Sequence, residues 1–278
     1  MAGSLLMLLG MAVFAMNDAI GKWLVADYGV AQVVLLRSVA ALLFLAPFVL
    51  RGRSLATRLR EAPRPRLQLL RAVLTTAEVF LFYLAVSSLP LADALAFWMA
   101  APIYVVAVSP LILRERVGAR IWAAVAVGFL GVMILLAPSL RIFEPGAIFA
   151  LLGTAAFAGM MLLGRFLRTT PDRDLVLFQT SAALIAGLVL APFDWQPVKS
   201  GLDLGLLALL GVVAMTAHVL VTRALKLADA AVVAPLQYSL LAWGALFGFL
   251  AFGDVPTQGM LIGAALIVCS GLIVLRRA

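Results

Sequence analysis

The stretch GSLLMLLGMAVFAMNDAIGKWL (3–24) returns later in the chain as GAIFALLGTAAFAGMMLLGRFL (146–167), with nine of twenty-two residues identical and no gap. Both stretches are long and apolar enough to cross a bilayer as an α-helix, which takes roughly 20 residues. The whole chain has the same character, since hydrophobic residues make up 65% of its 278 residues and charged residues only 12%. So few polar side chains cannot cover a water-soluble particle of this size. The sequence therefore predicts an all-α membrane protein with several spans.

Charged residues, proline and glycine divide the apolar sequence into ten predicted transmembrane helices. The spans lie near residues 3–24, 30–50, 67–87, 91–113, 119–137, 145–165, 174–192, 204–224, 229–251 and 256–275. The connections between them are short, apart from a basic loop over 51–66. This pattern leaves no room for a separate domain outside the membrane.

Two further pairs of segments extend the repeat. LPLADA (89–94) matches LKLADA (225–230), and VGFLGVMILL (127–136) resembles LIVCSGLIVL (266–275), in the same order as the first pair. We therefore predict two domains of five helices, over 1–138 and 145–278. An odd number of helices inverts the second copy relative to the first, which is typical of secondary transporters with one midplane site and two alternating gates.

Basic residues are concentrated on one side of the predicted membrane. With the N-terminus inside, sixteen of the twenty-one Lys and Arg residues face the cytoplasm, while Arg141 and Lys199 face the other side. The positive-inside rule then places both termini in the cytoplasm, and we predict a multi-pass protein of the bacterial inner membrane. Because the charges are spread over all the inner loops, they favour membrane lipids as neighbours and exclude a nucleic-acid partner.

Several motifs resemble those of a known family. They are the LLGxAxFA beginnings of both halves, Arg37 in QVVLLRSVAALL (32–43), LPLADA with a following Pro102, LRERVG (113–118) and FGDVP (252–256). Together they resemble the EamA domains of the drug/metabolite transporter superfamily, although the family usually has Glu where this chain has Asp254. The resemblance implies ten spans in inverted five-helix repeats and transport of metabolites, often outward. Within that superfamily the chain looks most like the YddG-type amino-acid exporters.

Polar side chains inside the first span are candidate substrate ligands, because each ionisable group costs roughly 2.5–3.5 kcal/mol to insert. Asn17 and Asp18 occupy the positions that Met160 and Met161 hold in the second copy. Facing each other across a cavity, the two pairs would bind an ammonium group and an apolar side chain. The alternative is an ion pair at the helix end between Asp18 and Lys22, four residues later.

Deeper charged residues are the next candidates. Arg37 lies about two turns inside the second span, where it would bind a substrate carboxylate or form a structural bond. Glu78 and His218 are candidates for substrate binding and proton coupling, since burial shifts the pKa of both groups; a structural role is the alternative for each. Arg71, one turn from the inner surface, is interpreted as a snorkelling side chain.

Aromatic and proline residues of the third, fourth and ninth spans complete the predicted site. A proline within a span frees a backbone carbonyl and permits a kink, so we predict that Pro102 and Pro235 are gate hinges. Interfacial anchoring is the alternative role for tryptophan and tyrosine. The remaining candidate substrate-binding residues are Phe82, Tyr83, Trp98, Gln237 and Tyr238.

The predicted function is secondary transport. We expect a monomer or homodimer that exports small metabolites, neutral or aromatic amino acids above all, by alternating access around a central cavity. The alternatives are uptake or exchange of S-adenosylmethionine, a nucleoside or a cationic drug, and lipid flipping. An enzyme, a metal site and a cofactor are not expected, because the single histidine has no GxSxG serine and no cluster of metal ligands occurs. No filter-like loop suggests a channel, and no GxxxxGK[ST] motif suggests direct use of ATP.

Overall fold

The computed structural model describes residues 2–25, 27–49, 57–58, 61–86, 96–136, 144–252 and 258–275. Within these ranges every regular element is helical. The α-helices are α1 Ala2–Val25, α2 Val30–Val49, α3 Pro65–Val86, α4 Ala101–Ile112, α5 Ala119–Leu136, α6 Pro145–Phe166, α7 Asp172–Leu190, α8 Gly201–Leu227, α9 Ala230–Val233, α10 Ser239–Phe252 and α11 Gln258–Leu275. The all-α prediction is therefore confirmed for the described residues, whereas the LPLADA segment (89–94) and Asp254 lie outside them.

Five helical segments are long and apolar enough to cross a membrane, judged by length and composition. They cover Ala2–Gly21, Val30–Pro47, Pro145–Phe166, Asp172–Asp194 and Gly201–Leu227. Each coincides with a predicted span. Shorter apolar helices lie between and after them, over Ala96–Ile112, Ala119–Leu135, Ala230–Gly244 and Leu261–Val274.

The helices pack as antiparallel pairs, one member from each half of the chain. Gly3 and Leu24, at the two ends of α1, pack against Ala228 and Leu207 at opposite ends of α8. At Gly3 the backbones approach so closely that a Cβ atom would lie 2.7 Å from the Cβ of Ala228. In the same way α3 runs along α6, and α2 along α7. In chain order, α1 and α6 are the first helices of the two halves, and α3 and α8 correspond to the third span of each. The α1–α8 pair therefore corresponds to the α6–α3 pair with the two halves exchanged.

The last pair, α5 with α11, has direct backbone contact. A Cβ atom at Gly131 would lie 2.8 Å from the carbonyl oxygen of Gly263, and one at Gly263 would lie 2.6 Å from that of Gly131. Farther along, the Ser270 hydroxyl donates to the Ala124 carbonyl at 2.7 Å. Glycine at both crossing positions is what permits such close packing of two membrane helices.

The bundle has two ends that differ in polarity. At the first, here the Arg165 end, Arg165 at the end of α6 contacts Glu115 after α4 and the Lys226 carbonyl at the end of α8. At the second, the Lys199 end, Lys199 before α8 pairs with Asp27 after α1. Because Gly3 at the start of α1 lies against the end of α8, α1 begins at the end of the bundle where α6 finishes.

The fourth and ninth predicted spans are not continuous helices. In the described part of the fourth span, the helix is interrupted at 99–100 and α4 starts at Ala101, with Pro102 in its first turn. The ninth span consists of α9, a 3₁₀ segment over Ala234–Tyr238 and α10, with Pro235 in the first turn of the 3₁₀ segment. Proline lacks an N–H and disfavours helical conformation in the residue before it, so both prolines begin a new segment instead of kinking a continuous one.

Candidate functional site

A cavity of about 530 Å³, its open mouth included, lies between α2, α3, α7 and α8. Its wall is apolar except for side chains from the middle turns of these helices: Arg37, Ser38, Thr75, Thr76, Gln179, Thr180 and His218. The threonine hydroxyls donate to backbone carbonyls one turn earlier in their own helices. A hydroxyl that donates once still has lone pairs to accept a hydrogen bond from a solute. The cavity thus combines hydrogen-bonding groups with a cation in an otherwise apolar bundle.

Arg71 lies directly behind the cavity wall, with only 2% of the residue exposed. Its Nη1 donates to Gln179 Oε1 at 2.8 Å, and its Nη2 donates to Thr222 Oγ1 at 3.2 Å. Nη2 also lies 3.7 Å from Met160 Sδ, while Nε has no hydrogen-bond partner among the described residues. The interpretation of Arg71 as a snorkelling side chain is therefore wrong. The guanidinium turns inward because α7 and α8 present an amide oxygen and a hydroxyl oxygen to it.

Glu78 belongs to an aromatic cluster beside the cavity. It accepts a hydrogen bond from Trp98 Nε1 at 2.7 Å, and Phe82 packs edge-on against the indole with ring centroids 5.1 Å apart. A Cβ atom at Gly153 on α6 would lie 2.0 Å from the Trp98 ring, so glycine there makes room for the indole. Tyr238 packs in the same cluster, fully buried, and its hydroxyl has no hydrogen-bond partner within the described ranges.

The charged candidates from different spans interact with one another. The carboxylates of Asp18 and Glu78 both interact electrostatically with the Arg37 guanidinium. His218 is near two cations, Arg37 and Arg71, and its ring packs edge-on against Phe14, with centroids 5.0 Å apart. The fold thus brings together side chains that are far apart in the sequence.

Other predicted residues lie away from the cavity wall. Asn17 is buried and donates to Asp18 Oδ1 at 3.2 Å, whereas the side chains of Lys22 and Tyr83 fall outside the described part of the structure. Met160 and Met161 are packed in an apolar cluster, where Met161 Sδ accepts from the Gln237 amide. Among the candidate substrate ligands whose side chains the structure describes, Arg37 and His218 alone line this cavity directly.

Glu115 is a residue whose role the sequence did not indicate, although it belongs to the LRERVG segment. Its Oε1 accepts from Arg165 Nε at 2.9 Å and from the Ala230 N–H at 3.1 Å. Its Oε2 accepts from the Ala231 N–H at 3.2 Å, so one carboxylate binds the end of α6 and the start of α9. Arg165 also donates to Asp229.

Three known proteins that are similar to this chain are all transporters. The riboflavin transporter of Rhizobium johnstonii is 29% identical over 279 residues, covering 99% of this chain and 91% of the relative. The pseudopaline exporter CntI of Pseudomonas aeruginosa is 28% identical, covering 96% and 93%. The S-adenosylmethionine uptake transporter of Rickettsia prowazekii is 23% identical, covering 96% and 90%.

A solved crystal structure has the same fold, with a TM-score of 0.84 and 18% identity over 99% of this chain and 98% of the other. The relatives named above are transporters of small molecules, but none is an amino-acid exporter by name, so the closer resemblance to YddG-type exporters stays a prediction. Both halves of the chain, residues 1–137 and 144–276, match the EamA-like transporter family. This chain belongs to that family of multi-pass membrane transporters.

Proposed function

We propose that this protein is a secondary carrier that exports a small zwitterionic metabolite, a neutral or aromatic amino acid, across the bacterial inner membrane. The observation that carries the proposal is the cavity between α2, α3, α7 and α8, whose polar wall lies in the middle of an apolar bundle. Arg37 on this wall interacts with the carboxylates of Asp18 and Glu78. A site with both signs of charge and adjoining aromatic rings suits a zwitterion with an apolar side chain.

The proposed mechanism is alternating access by two inverted five-helix repeats, over 1–138 and 145–278, with ten spans and both termini in the cytoplasm. Two packing features support the inversion: α1–α8 and α6–α3 are equivalent pairs, and α1 begins where α6 finishes. Pro102 and Pro235 start new helical segments in the fourth predicted span of each repeat. They are the proposed gate hinges.

The proposed binding site is larger than the cavity of this conformation. Arg37 and His218 line its wall, and Asp18 with Glu78 supplies the negative charge for an ammonium group. Phe82, Trp98 and Tyr238 form the aromatic side. The proposed site is completed by Asn17, Tyr83, Met160, Met161 and Gln237.

Proton coupling at Glu78 and His218 is part of the proposal. Both groups lie beside the cavity and can change charge, and neither has an ion-pair partner in direct contact within the described residues. Protonation of Glu78 would weaken its hydrogen bond from Trp98 and remove a charge that holds the ammonium group. Substrate release would then follow proton uptake.

A second candidate is a larger solute with a flat ring, carried in either direction. Riboflavin and S-adenosylmethionine, the solutes of two relatives, both contain fused aromatic rings. The Trp98 and Phe82 rings beside the cavity would pack against such a ring by stacking or edge-to-face contact.

The test uses purified protein in liposomes preloaded with labelled amino acids, with and without a pH gradient. Efflux of neutral and aromatic amino acids is expected, and Glu78→Gln and Arg37→Ala should abolish it. Arg168→Ala, at an exposed arginine of the Arg165 end, is the matched control and should retain full flux. Expression in cells should lower the internal concentration of the same solutes.

Two results would change the proposal. Efflux that is indifferent to the pH gradient would replace proton coupling with facilitated diffusion. Absence of flux for every amino acid, from folded protein that moves riboflavin or S-adenosylmethionine, would replace the amino acid with the ring-containing solute.

A further inference from the structure

Arg71 is a buried cation whose direct partners are all neutral. In the part of the chain that the structure describes, its polar contacts are the amide oxygen of Gln179, the hydroxyl of Thr222 and the sulfur of Met160, and its Nε has none. Within the described residues no carboxylate forms an ion pair with it. A charged group removed from water is costly unless an opposite charge accompanies it, so a bound anion would stabilise this site.

Other shielded arginines of the bundle are compensated. Arg165 pairs with Glu115 and Asp229, and Arg58 pairs with Asp174. In the cavity wall, Arg37 interacts with two carboxylates. That interaction is longer than a direct ion pair, but it still lowers the cost of the buried Arg37 charge, whereas no carboxylate among the described residues does so for Arg71.

The surroundings of Arg71 connect it to the cavity. Gln179 lines the cavity and also accepts from Arg71 Nη1, so its amide lies between the solute space and the guanidinium. Thr75, one turn after Arg71 on α3, is another wall residue. Gln179 is thus the wall residue that directly contacts the guanidinium.

We propose that Arg71 binds the carboxylate of the transported solute and that Gln179 Oε1 holds the place of a carboxylate oxygen in this conformation. The guanidinium offers a planar fork of donors that matches a carboxylate, and its unpaired Nε is the donor that Gln179 leaves unused. Arg37, with Asp18 and Glu78, then belongs to the ammonium side of the site. The inference rests on the proposed function only in requiring that the protein carries a solute with an acid group.

The direct test needs no knowledge of the solute. The melting temperature of the purified protein in detergent is measured with sodium benzoate or sodium acetate against sodium chloride at equal ionic strength. The carboxylates should raise the melting temperature of the wild type and of the control Arg168→Ala. They should have no effect on Arg71→Gln.

Gln179→Glu provides a second variant that folds even if Arg71→Gln does not. A carboxylate at position 179 would pair with Arg71, so this variant should melt higher than the wild type and no longer respond to benzoate. Gln179→Met, which removes the acceptor without adding charge, should keep the response. Two outcomes would overturn the assignment: a wild type whose melting temperature does not change with carboxylates, and a Gln179→Glu variant whose melting temperature still does.

Transport provides an independent comparison between phenylalanine and phenylalaninamide, which lacks the acid. Hydrogen bonds to charged groups suggest that the wild type prefers the acid by about 10- to 100-fold. Arg71→Gln should lose this preference, whereas an unchanged preference would contradict the role of Arg71. If the wild type carries no amino acid at all, the proposed function fails, and the benzoate measurement still decides the role of Arg71.

Discussion

Polar side chains form ion pairs at both the Arg165 end and the Lys199 end of the bundle, but those side chains differ in burial. Arg165 and Glu115 expose only 12% and 7% of their side chains, whereas Lys199 and Asp27 expose 58% and 48%. Glu115 also binds two backbone N–H groups at the start of α9. At the Lys199 end the contact between the α1–α2 and α7–α8 connections depends mostly on neutral groups, such as Gln32 with the Gln196 backbone.

This difference indicates how the two ends resist opening. An exposed ion pair loses little when water replaces its partner, while a shielded pair leaves an uncompensated charge when it breaks. Separation of α6 from α9 would break the contacts of Glu115 and Arg165 together. We therefore expect opening at the Arg165 end to cost more free energy than opening at the Lys199 end.

The largest effect is expected from exchanging the charges of the shielded pair, in the double variant Glu115→Arg with Arg165→Glu. The ion pair could re-form, but an arginine at position 115 cannot accept from Ala230 and Ala231. We expect destabilisation by about 2–6 kcal/mol, because each of the two backbone N–H groups that loses its acceptor costs about 1–3 kcal/mol. The matched exchange, Asp27→Lys with Lys199→Asp, should leave stability unchanged. Unfolding of both double variants in detergent measures their stability relative to the wild type. If the variant with exchanged residues 115 and 165 were as stable as the wild type, Glu115 would contribute only through its ion pair and not through its backbone contacts.

Glu115→Gln is expected to cost less, because the amide oxygen can still accept one backbone N–H. It loses the charge that compensates Arg165, and hydrogen bonds to charged groups suggest a loss of about 2 kcal/mol. Asp27→Asn is the isosteric control at the exposed pair. Equal melting temperatures for these two single variants would contradict the proposed difference between the ends.

Glu115→Gln should also make the Arg165 end open more often. Thr222→Cys, in a Cys269→Ala background, places a thiol beside Arg71 on the side of α8 toward the Arg165 end. The measurement is the rate at which a thiol reagent labels the cysteine at position 222. A destabilisation of about 1.4 kcal/mol corresponds to a tenfold change in the population of the open form, so Glu115→Gln should raise this rate about tenfold or more. Asp27→Asn should leave the rate unchanged; equal acceleration by both variants would mean that the two ends open as one unit.

Lys199→Met should have the smallest effect, with no measurable loss of stability near neutral pH. The hydrogen bond to Asp27 raises the pKa of Lys199 above its ordinary 10.5. A raised pKa means that the contribution of the pair is complete below pH 10.5 and is lost as the pH rises through the folded-state pKa. Any difference in melting temperature between wild type and Lys199→Met should thus stay constant from pH 7 to 9. A difference that grows in this interval would contradict the assignment.

Much of the fold could be predicted from the sequence. The length of apolar runs indicates helices, and the repeat at 3–24 and 146–167 indicates equivalent positions in the two halves. The interruptions at Pro102 and Pro235 were also visible, although the sequence suggested kinks and the structure has new segments. These features depend on residues that are close together in the sequence or on the repeat itself, so they can be predicted from one sequence.

The site was less predictable, because it depends on which way a side chain turns. Arg71 stands near a helix end, where snorkelling is the usual behaviour, and only the acceptors on α7 and α8 turn it inward. Glu78 and Trp98 were both candidates, but nothing in their spacing indicated the hydrogen bond between them. The space for that indole is created by Gly153, a residue from the other half of the chain.

The contact between Gly131 and Gly263 has a consequence for measuring motion in this protein. Two helices whose backbones meet there cannot slide past each other without a collision, so α5 and α11 provide a fixed internal frame of reference. Spectroscopic labels on that pair should keep a constant separation through a transport cycle. Distances from labels on α3, α4, α8 or α10 to the α5–α11 pair would then measure how far each of those helices moves.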